Sequence, residues 1–459
     1  VLRDRLGIGA GAIELVGDGQ RLVAGLPVEG PKEDRADNHQ EEQAAPAQQQ
    51  QGGIPDISPA AAAPAPSKPI YLNLTKGPVL LRVYQTKAAI MWETDTGKPQ
   101  KLFYGNEQSG ESSVVSMPEK IEYESSELLG LALKKTVFLH KVWLENLEAG
   151  QVYNYHIGNA APGNWSFRTP AENNDEITFV VYGDTRTNSQ LHKRIVEQII
   201  KTNPAFVVHT GDLVTNGNKY QQWGEQFFGP VKGLAESVPI YAIKGNHDGK
   251  KGNFEKLLVP AGEKNNFGAD FGAVYYYFAD NYSEDLTDKE LLNLIAENVG
   301  DAQAEWKFIS FHTPALNFSG HNSKWGYPNA LPMFAKAGAD FVISGHSHMY
   351  ERFKPVAPPI HSGAHFVTYI TTGGGGAPLA GKPKPSNFYS YADSVLHFCL
   401  FHIKDGHLTM DAIDIDGNII DHLEISKNGG KLNNEYRESS MPMPEVLAEQ
   451  RVRKESALQ

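Results

Sequence analysis

The chain has 459 residues, of which 40% are hydrophobic and 21% charged, and its formal net charge is -12. That length calls for two or three domains with real cores. The acidic balance argues against a general nucleic-acid binder, which needs a basic face to release counterions. No stretch reaches the ~20 apolar residues of a membrane helix.

Residues 1–67 read as a weakly structured or disordered segment and linker. It carries Gln48–Gln51, Ala60–Ala63 and prolines at 59, 64 and 66, and cannot bury enough apolar surface to offset its ordering entropy. Residues 68–170 hold short strand-like runs at 79–83, 88–92, 101–105, 137–143 and 152–156, the spacing of an all-β sandwich. Leu147 to Tyr153 reads as a tyrosine corner with Tyr153 as the corner residue.

From 176 to 425 the pattern changes to strand, helix, strand. Strands are predicted at 177–182, 205–208, 240–243, 306–311 and 341–343, and helices at 191–200 and 220–234. Thr287 to Glu290 reads as a capping box opening a further helix. Strands return at 366–371, 395–403, 408–413 and 419–425, the last two joined by an Asp416-Gly417 hairpin turn. This is an α/β layered core. The single cysteine, Cys399, sits in a strand-like run and reads as a buried structural thiol. Residues 426–459 form a polar tail with a possible helix over 444–457.

Five polar motifs each follow an apolar strand. They are Gly183-Asp184-Thr185-Arg186, Gly211-Asp212, Gly245-Asn246-His247-Asp248, His312, and Gly345-His346-Ser347-His348. In an open α/β sheet, ligands gather beyond the carboxyl ends of the strands. Asp, Asn and His delivered there together make a metal site for zinc, iron, manganese or a similar ion. A shared carboxylate can hold two ions ~3.5–4 Å apart, the separation used for displacement at phosphorus.

These motifs, extended by Met349-Tyr350-Glu351-Arg352 and Gly373-Gly374-Gly375-Gly376-Ala377-Pro378, resemble the calcineurin-like metallophosphoesterases. The branch most resembled is that of the purple acid phosphatases, and the resemblance covers roughly residues 70–425. It implies a four-layer αββα metallophosphoesterase sandwich behind a fibronectin-III-like domain. It also implies hydrolysis of a phosphoester, monoester or diester, by a metal-bound hydroxide at a site of two ions. By the same resemblance Asp212 bridges the ions. Asp184 and His348 complete the first, and Asn246, His312 and His346 the second. His247 touches the phosphoryl group or protonates the leaving oxygen, oriented by Asp248. An exported location is expected from the same likeness, and oligomeric state is left open.

The chain departs from this pattern at the first ion. The family's usual His in the first motif is Arg186 here, and the Tyr used by purple acid phosphatases is Thr215. Arg186 either clamps a phosphate oxygen or pairs with an acidic neighbour and holds the loop, and the third alternative is a weak first site with only the second ion fully held. His192 or Asn188 are candidates to fill the gap. His209 reads as a core or supporting residue, and His321 as a candidate substrate contact in a loop. Tyr350, Glu351 and Arg352 read as braces for the last ligand loop, and glycines 373–376 as a tight turn near the site. The competing reading is a metallophosphoesterase-like binding protein whose altered first metal site has weakened catalysis.

Overall fold

Most of the apolar runs punctuated by turns form strands. The computed structural model describes residues 71–456, less 127–131, 162, 173–175, 251, 322, 324, 359–364 and 429–430. The expectations for residues 1–67 lie outside the described residues. Lys68–Gln459 forms one compact unit.

Its first part is all β. One four-stranded sheet runs, in order of neighbours, Leu74–Val83, Lys87–Thr94, Ala132–Glu145 and Glu119–Ser126. The other runs Gly110–Ser116, Gln100–Asn106, Val152–Ile157 and Trp165–Arg168. Side chains alternate across a strand. Leu80, Val83, Ala88, Ile90 and Trp92 therefore fill the space with Leu102, Tyr155 and Phe167 of the second sheet. Val79, Leu81, Ala89 and Met91 face the other way and share a core with Val180, Tyr220, Trp223 and Phe227. The first two strands are thus buried on both faces, and the sandwich and the α/β part are packed together. The tyrosine corner forms as read, with the Glu148 amide donating to the Tyr153 hydroxyl at 2.9 Å.

The α/β part has two mixed seven-stranded sheets. The first runs Ile240–Ala242, Phe206–His209, Glu176–Tyr182, His397–Lys404, His407–Asp414, Ile419–Asn428 and Lys431–Leu432. The second runs Phe267–Phe271, Val274–Phe278, Trp306–Phe311, Phe341–Ser344, Thr368–Thr372, Tyr350–Phe353 and Tyr389–Asp393. Phe179, Phe206, Phe308, Phe341 and Phe401 interlock in the apolar layer to which both contribute. Helix Ser189–Lys201 covers the first sheet with Ile195, Val196 and Ile199. Helices Asp288–Asp301 and Ala330–Ala337 cover the second with Leu292, Ile295, Leu331 and Phe334. The layers are helix, sheet, sheet, helix. Thr287 and Glu290 make the expected capping box, and Cys399 is buried, its thiol pushed up to about 12 by that burial.

Two stretches differ from their sequence reading. The helix expected over 220–234 breaks after Tyr220–Gln222 into a wider π turn, Trp223–Phe228, followed by turns. Gly224, Gly229, Pro230 and Gly233 interrupt it, each costly inside an α-helix. The polar tail folds back: helix Met443–Ser456 buries Met443 and Val446 against the second helical layer. No described helix is long and apolar enough to cross a membrane.

A buried ion pair inside the sandwich is joined by a tyrosine hydroxyl to the short helix Tyr220–Gln222, just before the π turn. Lys76 Nζ lies 2.6 Å from Glu93 Oε1, and Tyr220 donates its hydroxyl to Glu93 Oε2 at 2.5 Å. Burial pulls the Lys76 pKa down and the Glu93 charge opposes that. Removing one partner of a buried pair strands the other charge. Glu93→Gln is therefore expected to cost about 3 kcal/mol in urea unfolding. Glu284→Gln, which breaks the exposed pair with Lys250, should leave the midpoint unchanged. Equal midpoints for both variants would show that the buried pair does not hold the two parts together.

Candidate metal centre

All six residues expected as metal ligands leave the ends of strands and converge. Asp184 follows Glu176–Tyr182, Asp212 follows Phe206–His209, and Asn246 follows Ile240–Ala242. His312 follows Trp306–Phe311, and His346 and His348 follow Phe341–Ser344. Asp184, Asp212, His312 and His348 are buried, whereas Asn246 is exposed.

The preceding glycines allow close packing more than they allow turning. A Cβ at Gly183 would collide with the Thr210 side chain, one at Gly245 with Asp212, and one at Gly345 with the Asp184 carboxylate. Only Gly211 among them lies in the left-handed region, at φ 102°. The unusual backbone belongs to the ligands: φ is 57° at Asp184, 56° at Asp212, 70° at His346 and 38° at His348. Left-handed non-glycine residues cost energy and cluster at functional sites.

The lone pairs of these residues face one another. His312 Nδ1 donates to the Thr210 carbonyl at 2.8 Å, which leaves Nε2 unprotonated. That Nε2 lies 3.1 Å from Asn246 Oδ1, 3.3 Å from His346 Nδ1 and 3.4 Å from Asp212 Oδ1. His346 Nδ1 lies 3.0 Å from Asn246 Oδ1, and its Nε2 meets Ser323 Oγ at 3.0 Å. Burial, then the neighbouring His312, pulls the His346 pKa down to about 3, so the ring is neutral at ordinary pH. His348 Nδ1 donates to the Pro378 carbonyl at 2.9 Å, aiming its Nε2 at Asp184 Oδ1, 3.4 Å away. Asp184 Oδ1 is buried with no hydrogen-bond partner among the described residues. Oxygen and nitrogen acceptors crowded this closely suit a cation. The residues present therefore fit a metal ion. Donor atoms of Asp184, Asp212 and His348 all lie within 4.8 Å of one another.

The role expected of Asp248 needs correction. Its carboxylate does not reach the His247 ring. It accepts instead from the amides of Asp212 at 2.9 Å, Leu213 at 2.8 Å, Val214 at 3.3 Å and Gly245 at 2.8 Å. Burial and the Asp212 charge push its pKa up, against those amides. The chain turns between Gly245 and Asp248, which sends adjacent side chains in different directions. The His247 ring is held by the Thr215 carbonyl, 2.8 Å from Nδ1, leaving Nε2 free.

The gap-filling candidates are engaged elsewhere. His192 Nδ1 donates to the Gln226 carbonyl and its Nε2 meets the Tyr182 hydroxyl, both at 2.9 Å. Asn188 caps the helix by accepting from the Leu191 amide at 3.1 Å. Thr215 points away, its amide and hydroxyl donating to Gln226 Oε1 at 2.7 and 3.0 Å. Arg186 pairs with an acidic neighbour, Nε lying 3.3 Å from Asp212 Oδ2. His209 supports the site from behind, bonded to Thr185 Oγ1 and to the Gly211 amide.

Around the rim, the His321 ring lies 5.2 Å from that of His346 and 5.1 Å from that of His348. Glu351 fixes its loop by accepting from the Phe318 and Ser319 amides at 3.2 and 2.9 Å. Tyr350 and Arg352 clamp Asp421. The glycine run lies against the first motif, the Gly375 amide donating to the Gly183 carbonyl at 2.8 Å. Sequence reasoning missed Tyr282, whose hydroxyl is 3.4 Å from Asn246 Oδ1 and 2.6 Å from Thr313 Oγ1. It stands in an irregular loop without a motif. Its only sequence signal is a place between a buried strand and the capped helix.

Fold and site define a class. Residues 177–350 match the family model of the calcineurin-like phosphoesterases. The relatives within that class are purple acid phosphatases. Probable inactive purple acid phosphatase 1 of Arabidopsis thaliana is 24% identical over 372 residues, 63% of this chain and 58% of that protein. Acid phosphatase type 7 of Homo sapiens is 24% identical over 342 residues, 64% of this chain and 78% of that protein. The structure of purple acid phosphatase PPD1 from yellow lupin (Lupinus luteus) seeds shares the fold. Its TM-score is 0.60 at 16% identity, covering 78% of this chain and 74% of that one.

His192 offers a pH test of the scaffold behind the centre. Burial pushes its pKa down to about 4, from about 6.5 in an unfolded chain. The unfolded state then binds the proton first as pH falls. The stability that the neutral ring contributes is full above about pH 6.5 and fades towards pH 4, by up to about 3 kcal/mol. His192→Gln lacks this dependence. Its stability deficit against wild type in urea should narrow as pH drops through that window, and a constant deficit would contradict the neutral assignment.

Proposed function

We propose that the chain is a phosphoric ester hydrolase acting at this metal centre. The observation that carries the reading is the set of crowded oxygen and nitrogen acceptors on Asp184, Asp212, Asn246, His312, His346 and His348, the donor types that hold such a cation. A metal held there would supply charge stabilisation at the phosphoryl oxygens and a water of lowered pKa. Asp212 and the second-position donors Asn246, His312 and His346 would fix its place. His247, its Nδ1 tied to a carbonyl, presents Nε2 to the open edge. When protonated it would donate from Nε2 to a phosphoryl or leaving oxygen. Tyr282 and His321 would contact the ester from the rim. Monoester or diester preference lies with those rim residues.

The test is turnover of p-nitrophenyl phosphate and bis-p-nitrophenyl phosphate alongside elemental analysis of the same sample. Turnover should be abolished by chelation and restored by manganese, zinc or iron. Asp212→Asn should lower kcat/KM by ~100-fold or more, exceeding the loss typical of a residue that only orients a metal ligand. Bound metal without turnover of either ester would favour the binding-protein reading.

A further inference from the structure

The two halves of the centre are not equivalent. The second position has Asn246, His312, His346 and Asp212, and among the described residues no cationic side chain is bonded to Asn246 or His346. The first has Asp184, Asp212 and His348, and the Arg186 guanidinium is bonded into it. Arg186 Nε donates to Asp212 Oδ2 at 3.3 Å, and Nη2 lies 3.4 Å from His348 Nε2. Nη1 is steadied by Thr187 Oγ1 at 3.4 Å, and the side chain is only 15% exposed.

These contacts use the electron pairs that a first ion would need. The His348 proton sits on Nδ1, facing the Pro378 carbonyl. With that proton placed, the neutral ring has one lone pair, on Nε2, which can accept from Arg186 or bind a metal, not both. Asp212 Oδ2 is engaged in the same way, and Asp184 Oδ2 accepts from the His346 amide, which leaves Asp184 Oδ1 as the one carboxylate oxygen here without a hydrogen bond among the described residues. Thr215, Asn188 and His192 are held by other partners. Charge adds to the competition. A guanidinium stays protonated at every working pH, and a dication a few ångströms away is repelled in a site shielded from water.

We propose that Arg186 is the resident cation of the first position, and that the chain holds one metal ion, at the second. This rests on the metal-centre reading above and narrows it. The guanidinium supplies the positive charge that a first ion would bring.

The experiment is ion stoichiometry by elemental analysis after equilibrium dialysis against excess manganese or zinc. Wild type should retain about one ion per chain, and Arg186→Ala and Arg186→His about two. Manganese bound to wild type should give the electron paramagnetic resonance of an isolated ion, and manganese bound to the variants that of a coupled pair. In wild type His346→Ala should abolish binding, while His348→Ala should leave it. A cobalt titration of wild type saturating at about one equivalent supports the proposal even where a variant does not fold. Two ions in wild type would overturn the role of Arg186 and leave the metal centre standing. One ion in wild type and in both variants would also overturn that role. No ion in any of the three would overturn both readings.

Discussion

The Asp248 carboxylate is the constraint on which the centre depends. Its two oxygens accept four backbone amides from two separate loops. One loop carries Asp212 and the other carries Asn246 and His247. Leaving those amides unpaired in a buried place would cost about 1–3 kcal/mol each. Asp212 Oδ1 accepts in turn from the His247 amide at 2.8 Å. The loops at the ends of two neighbouring strands are thereby locked in register before any ligand arrives. Geometry held this way is what lets mixed oxygen and nitrogen donors meet at one point.

Strain is the counterpart of that locking. Four ligand residues adopt left-handed backbone, which the chain tolerates because its surroundings over-determine it. Glycines on adjoining strands let the loops approach until side chains of one nearly touch the backbone of the next. The same arrangement explains the run at 373–376, in which the Gly375 amide meets the Gly183 carbonyl and the next residue, Ala377, donates to the Asp184 carbonyl. These glycines act mainly through absent volume, and their positions are legible only once the strands are side by side.

Much of the fold was legible in the sequence because the signals were local. An apolar run ending in Gly-Asp or Gly-His reads as a buried strand with a ligand at its tip, and the strands before all five motifs form. The capping box at Thr287 and the hairpin turn at Asp416-Gly417 have side-chain and backbone causes within a few residues. What could not be read depends on direction. Asp248 follows His247 in the chain, yet a single turn sends its carboxylate inward to other amides. His192 and Asn188 are near Arg186 in sequence, but helix periodicity points one into the core and fixes the other as a cap. Tyr282 reaches the centre from a loop between two elements, where no periodicity constrains it. The helix expected through Trp223 failed because its glycines and proline cost more than its apolar spacing returns.

The site's asymmetry follows from the difference between a tethered and a diffusing cation. A guanidinium attached two residues from Asp184 is always present at high effective concentration, so a metal must bind strongly to displace it. Three donors are few for that, and Arg186 already engages two of them. At the second position the donors are neutral or shared, and Arg186 touches only the shared Asp212. A substitution that looks like the loss of a metal ligand is then a change in who supplies the charge. Phosphoryl oxygens need compensating positive charge and ordered donors, and a planar guanidinium offers both. Arg186 can therefore have altered the metal requirement of the centre without removing the electrostatic basis for its chemistry.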